Sequence, residues 1–454
     1  MNSSYIWILI PLAAAGLLTI IRKYERFTIT AGIAIGMGLA LLAWLAPFNQ
    51  IIDIGPLQMR ISSTFSILGR RFVLGSEDRQ LLILIFASIS LWFLGSILTK
   101  PGHMFVPVGL ASSAVMTTTL AVEPFLYAAI FILIAALFLI PLLAPPGRPL
   151  GRGTIRFLTF QTLGMPFILF SGWLFERAST FSGAQFLTLT PVVILGFGIL
   201  LLLAVFPFHT WIPMLSSEAH PYVAAFVFYI IPSMVSLFGI DFFSRYPWLQ
   251  NTDSIFTFLF AAGSIMVLTG GIWAAFQTHL GRLMGFAVLI DIGTSLLLIG
   301  SGSGSPDLRN EILPILIPLL FMRGLALCIW AIALSIIRTK TGSLSFLGVS
   351  DAGRKIPFAA VGAVLAHFSL AGFPLLAGFP TRLALLERLA DVQPGIILLV
   401  LIGMIGLLAG GLRSLVVLFA GSIETNIQTP ETRAERIFLA AGTLALFAAG
   451  LYLL

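Results

Sequence analysis

The chain has 454 residues, 58% of them hydrophobic and 9% charged, with a mean hydropathy of +1.05. Soluble domains run near ~25% charged and ~45–50% apolar, so this composition belongs in a bilayer and excludes a soluble enzyme domain. The net charge of +7 comes from basic residues spread thinly through short loops, with no basic run and no interleaved aromatic platform; that excludes a nucleic-acid binder.

A span needs about 20 apolar residues to cross about 30 Å of hydrocarbon. The first apolar stretch, Tyr5 to Ile21, is followed by Arg22 and Lys23 without a small-residue cleavage site, so it reads as a span and not as a signal peptide. Spans are predicted near 5–22, 28–47, 81–99, 104–121, 124–143, 155–175, 190–208, 221–240, 254–277, 281–300, 312–337, 356–379, 394–420 and 436–454, about fourteen in all. The fold class expected is an all-α polytopic membrane protein. Its parts are residues 1–103 with three helices and an extramembrane segment at 48–80, two five-helix blocks at 104–243 and 254–420, and a last helix in 421–454. Asp53, Arg60, Arg70, Arg71, Glu77, Asp78 and Arg79 mark the extramembrane segment as a hairpin or surface element.

Connections after odd-numbered spans hold fourteen basic residues, and those after even-numbered spans hold eight. The positive-inside rule therefore puts the odd connections in the cytoplasm and both termini outside. Arg323, Arg382 and Arg413 fall within or at the ends of spans, where a charge needs a partner, a cavity or a snorkelling route. Cys328, the single cysteine, rules out a disulfide framework or a thiolate cluster built from this chain alone.

Two stretches break the helical pattern in a matched way. Residues 204–213 carry Pro207 and Pro213; residues 369–380 carry Pro374 and Pro380. In each the prolines stand six residues apart, and the pairs lie about 167 residues apart, each in the fourth helix of its five-helix block. Proline interrupts a helix and frees backbone carbonyls. Paired broken helices in two halves point to an internal repeat and a transport path; a general enrichment of Pro in membrane helices is the plainer explanation.

At these residues the chain resembles a known family. Phe206-Pro207-Phe208-His209-Thr210-Trp211-Ile212-Pro213 is similar to the FPFHxWLP signature of the antiporter-like membrane subunits of respiratory complex I, membrane-bound hydrogenases and Mrp-type cation/proton antiporters. The stretch 277–286 resembles QTDLKRLLAY, 369–379 resembles SLAGLPPLAGF, and Arg338 to Thr341 with Arg354 to Pro357 resemble the loop before that second break. The likeness runs from about Phe72 to Val417. It implies fourteen helices, two inverted five-helix repeats, and a midplane relay of Lys, Glu and His that moves protons. It also implies partner subunits in a respiratory-type complex of a bacterial inner membrane.

The sequence departs from that relay. Leu202 stands where the resemblance implies a midplane Lys, Ala128 to Ile134 contains no acid where it implies a Glu, and Ser233 or Met234 and Leu327 occupy two further Lys positions. All four lysines, Lys23, Lys100, Lys340 and Lys355, are in loops. Leu, Ile and Met cannot take and give a proton, so the amino-terminal block reads as disabled for conventional conduction.

The relay candidates lie in the second block. Asp291 is mid-span, as a functional acid or as half of a structural ion pair, with Arg323 as its proposed partner, either a lock or a switch. His367 precedes the second break, as a relay group or a hydrogen-bonded core histidine. Arg382 follows that break, Glu387 is offered as a partner for Arg382 or Arg388, and Arg413 reads as an interface anchor. His209 is expected to serve a carbonyl freed by Pro213, and Glu218 with His220 to form a solvated pair. With no phosphate-binding, HExxH or CxxC motif, no cofactor, metal or redox centre is expected. The function expected is an antiporter-like subunit with reduced or partial conduction; the alternatives are a structural scaffold of the membrane arm and a stand-alone transporter.

Overall fold

A computed structural model describes residues 4–46, 51–54, 57–60, 64–67, 69–123, 125–144, 147, 149–180, 189–245, 253–303, 305, 307–420 and 429–452. Parts of two expected segments, 48–50 and 421–428, lie outside the described residues. Helix dominates because a bilayer offers no water to backbone amides, so a spanning segment must satisfy them internally. Among the described residues, ten helices are long and apolar enough to cross a membrane, and four further apolar helices are 10–17 residues long.

The chain forms two compact units. One comprises residues 1–146, 158–202 and 233–242. It holds α1 (Ser4–Ile20), α2 (Glu25–Leu45), α3 (Arg79–Thr99), α4 (Phe105–Ala121), α5 (Ala128–Leu143), most of α6 (Arg152–Thr180) and α7 (Leu189–Leu202). α2 packs on α3, α1 on α4, and Trp7 Nε1 donates to the Leu39 carbonyl at 3.2 Å. Between α2 and α3 run two antiparallel hairpins. β1 (Ile51–Ile54) pairs with β2 (Leu57–Arg60), and β3 (Thr64–Ile67) with β4 (Arg70–Val73), whose Phe72 faces Val122 of β5 (Val122–Glu123).

The other unit comprises residues 147–157, 203–232 and 243–454. It contains α8 (Trp211–Glu218), the start of α9 (Pro221–Arg245), α10 (Asp253–Phe276), α11 (Leu280–Gly300), α12 (Leu308–Thr341), α13 (Pro357–Leu370), α14 (Gly378–Val392), α15 (Pro394–Ala420) and α16 (Arg433–Tyr452). α11 is its centre: every residue of it except Arg282 is buried, against α8, α10, α12, α14 and α15. A helix apolar all round belongs in such a place.

Both expected breaks are present, and each is wider than the sequence suggested. The span expected at 190–208 stops at Leu202 and resumes as α8, with Ala204 in the left-handed region (φ +55°). The span expected at 356–379 is two helices, α13 and α14, the second reaching Val392. Two glycines make the second break possible. Gly372 takes φ +75°, and a Cβ on Gly378 would lie 1.9 Å from the Ser369 carbonyl oxygen, so only Gly lets the two segments approach this closely.

Candidate functional site

The second break decides where a charge must go. Within a helix the Leu370 carbonyl would accept from residue 374, which is Pro374 and has no N–H. The orphan is taken by Arg382 from the first turns of α14, whose Nη2 donates to the Leu370 oxygen at 3.1 Å. At the first break, where α7 ends at Leu202, Gln161 Nε2 donates to the Leu202 carbonyl at 3.1 Å.

Arg382 does more than cap. Its Nη2 also donates to Asp291 Oδ1 at 2.7 Å, and its Nη1 to the Thr294 hydroxyl. From α12, Arg323 reaches the same carboxylate: Nε donates to Oδ2, and Nη2 donates to the Asp291 carbonyl at 3.1 Å and to Ser295 Oγ at 2.5 Å. Thr294 and Ser295 in turn donate to the Asp291 carbonyl at 2.8 and 3.2 Å. The three charged residues are 1–3% exposed. Two guanidinium forks thus enclose one carboxylate, each oxygen engaged by a different arginine, and the cluster carries one net positive charge. Arg323 Nη1 has no hydrogen-bond partner among the described residues.

Chemically this is a clamp. Neither arginine gives up its proton, so the carboxylate is the one group of the cluster that could accept one, and doing so would dissolve two buried ion pairs. Three helices are tied together through one side chain.

The expected sites divide. Asp291, Arg323 and Arg382 converge; His367 and Glu387 do not join them. His367 is 1% exposed, with Nε2 2.8 Å from the Leu407 carbonyl and its ring 4.7 Å from that of Trp330, while Nδ1 has no partner among the described residues. Glu387 is exposed. Its expected pairing with Arg382 or Arg388 is replaced: Arg382 holds Asp291, and Arg388 Nη2 meets Glu311 at 2.5 Å. Five residues along a helix turn through about 140° net, so Glu387 faces away from Arg382. Arg413 is exposed and donates to the Ala275 carbonyl at 2.5 Å, with its guanidinium 5.8 Å from the Phe346 ring centre.

At the first break, half-buried His209 stacks on Phe206 at 5.5 Å and interacts with the Pro207 backbone. This corrects the expectation of a bond to a carbonyl freed by Pro213, because that carbonyl is His209's own. Glu218 and His220 do not pair either. Glu218 Oε2 accepts from the Gly153 amide at 2.8 Å, and His220 Nδ1 accepts from the Tyr222 amide at 3.3 Å. Burial, with the Arg338 guanidinium adding to it, pushes the His220 imidazole down to about 4.

Thr294, Ser295 and the Leu370 carbonyl were missed. The signal for the two hydroxyls was present: three and four residues from Asp291, they share its helical face.

Residues 155–408 match the family described as NADH:quinone oxidoreductase/Mrp antiporter, transmembrane, more than half of the chain. The chain belongs to this family. As a member of the NADH:quinone oxidoreductase/Mrp antiporter family it is 28% identical over 186 residues to F(420)H(2) dehydrogenase subunit M of Methanosarcina mazei, covering 40% of this chain and 36% of that one. It is 23% identical over 250 residues to NADH-quinone oxidoreductase subunit N of Cytophaga hutchinsonii, covering 54% and 52%. The chain therefore spans about a third to a half of these relatives' length. A chain of respiratory complex I from Thermus thermophilus superposes with a TM-score of 0.76 at 18% identity, covering 99% of this chain and 95% of that one. At that identity the likeness shows the fold alone. The protein is an integral membrane protein of antiporter-like architecture.

Proposed function

We propose that this chain is an antiporter-like subunit of a multi-subunit respiratory or Mrp-type membrane assembly, with reduced conduction of its own. The observation that carries the reduction is the clamp: the mid-span acid of the second block is held by two side chains that cannot exchange protons. The Leu, Ser and Met residues in place of relay lysines support the same reading for the first block.

The chain crosses the bilayer fourteen times, a reading supported by ten long and four shorter apolar helices. The blocks 104–243 and 254–420 are inverted repeats, supported by two breaks whose last helical carbonyls, Leu202 and Leu370, are each served by a side chain from elsewhere. The excess of basic residues after odd-numbered spans supports a cytoplasmic face there and external termini, in a bacterial inner membrane. Its partners are other membrane subunits, as the names of its relatives suggest. Among its own groups, the proton-relay candidates are Asp291 and His367.

The test is proton translocation per turnover by the intact assembly in liposomes, with Asp291→Asn and His367→Gln compared at equal assembled amount. Reduced conduction predicts a partial fall in the ratio with turnover retained. An unchanged ratio with both variants would overturn it in favour of a scaffold that has lost translocation. The scaffold reading has its own support, since a clamp across three helices is what a purely structural element needs.

A further inference from the structure

Away from the clamp, and using none of its residues, a pocket of about 360 Å³ opens beside the first break. Its lining includes Arg156, Arg282, His209, Thr210, Trp273 and Phe286, and no acid. Arg156 and Arg282 are both exposed. Arg156 is oriented by Nη1, which donates to Thr210 Oγ1 at 3.1 Å and to Met214 Sδ at 3.2 Å. Two guanidiniums converging on a pocket without a carboxylate make a strongly anion-seeking site, and the planar fork matches phosphate oxygens.

The apolar half of the site says which kind of phosphate. Trp273 belongs to the pocket and is 54% exposed, and on the same helix Ile265, Ile272 and Phe276 are 44%, 46% and 72% exposed. Positions 265, 272 and 276 repeat at helical spacing and form one outward stripe. In a bilayer such a stripe meets acyl chains, with Trp273 at the junction of polar and apolar regions.

We propose that this pocket binds the phosphate headgroup of an anionic phospholipid, with Arg156 and Arg282 on the phosphate and the acyl chains along the α10 stripe. The shared chemistry is a phosphate ester. The stripe selects the lipid over a soluble phosphate, because a free phosphate gains nothing from it. Basic pockets between membrane helices commonly take such headgroups.

The purified full-length chain in detergent is titrated with dioleoyl-phosphatidylglycerol, with bound lipid counted by native mass spectrometry. Dioleoyl-phosphatidylcholine and glycerol 3-phosphate serve as comparisons. Expected is saturable phosphatidylglycerol binding that Arg156→Gln with Arg282→Gln weakens about thirtyfold, the effect of two basic side chains at an anionic surface. Phosphatidylcholine binding stays unchanged and glycerol 3-phosphate does not compete. Wild-type affinity in the double variant overturns the site; displacement by glycerol 3-phosphate overturns the lipid assignment. Should the double variant fail to fold, photo-crosslinking decides on the unmodified chain. A phosphatidylglycerol with a headgroup carbene precursor labels residues 209–214 or 273–286, and labelling confined elsewhere overturns the proposal.

Discussion

Arg382 holds Asp291 at 2.7 Å with the same nitrogen that serves the Leu370 carbonyl at 3.1 Å. One guanidinium thereby couples the only mid-span acid of α11 to the carbonyl that Pro374 leaves without a donor. A helix break and one oxygen of a buried carboxylate are served by one side chain, while Arg323 holds the other oxygen.

The two ends of that contact are unequal. Asp291→Asn leaves two buried guanidiniums without a counter-charge, at a cost of about 3–5 kcal/mol. Arg382→Gln leaves Asp291 paired with Arg323 and costs less. Thermal unfolding of the purified chain in detergent should rank wild type above Arg382→Gln above Asp291→Asn; the reverse order would mean that Arg323 and Arg382 are not the acid's principal partners.

The pair between Arg388 and Glu311, whose side chains are 30% and 39% exposed, is a different case despite its 2.5 Å separation. Exposed pairs contribute about 0–1 kcal/mol. Arg388→Gln should leave the unfolding temperature within about 2 °C of wild type, and a larger drop would show that this pair is shielded from solvent.

Gly378 allows no side chain. Alanine would put a Cβ 1.9 Å from the Ser369 carbonyl oxygen, an atom of the backbone that cannot rotate away. Gly378→Ala should displace α14, pull Arg382 from Asp291 and lower the yield of folded protein several-fold by size-exclusion chromatography. Wild-type yield and stability would mean that the second break is slack.

His220 supplies a pH dependence. Its folded-state value is lowered from 6.5 to about 4, by burial first and by Arg338 second. The folded form therefore binds fewer protons than the unfolded one. The stability it contributes is fully present above about 6.5 and is lost as pH falls toward 4. Protonation of Nδ1 also removes the acceptor for the Tyr222 amide. The unfolding temperature should decline between pH 6.5 and 4, and His220→Gln should flatten that decline. An equal slope in the variant would assign it to other groups.

The membrane setting, the long apolar helices and the two interruptions were legible in the sequence. Those follow from hydropathy and from the missing N–H of proline, both local properties of the chain. The sequence also puts Leu202 and Leu327 where the family resemblance implies lysine, and no packing makes a proton carrier of leucine; it nominated Asp291 with Arg323. The second arm of the clamp was decided by tertiary structure alone. Arg382 is 91 residues from Asp291, and α14 had to start beyond the break, at Gly378, before its guanidinium could arrive. The same packing turned Glu387 outward and gave Glu311 to Arg388. Partners of buried charges are chosen by which helices touch and at what rotation, and that information resides in the fitted surfaces of the helices together.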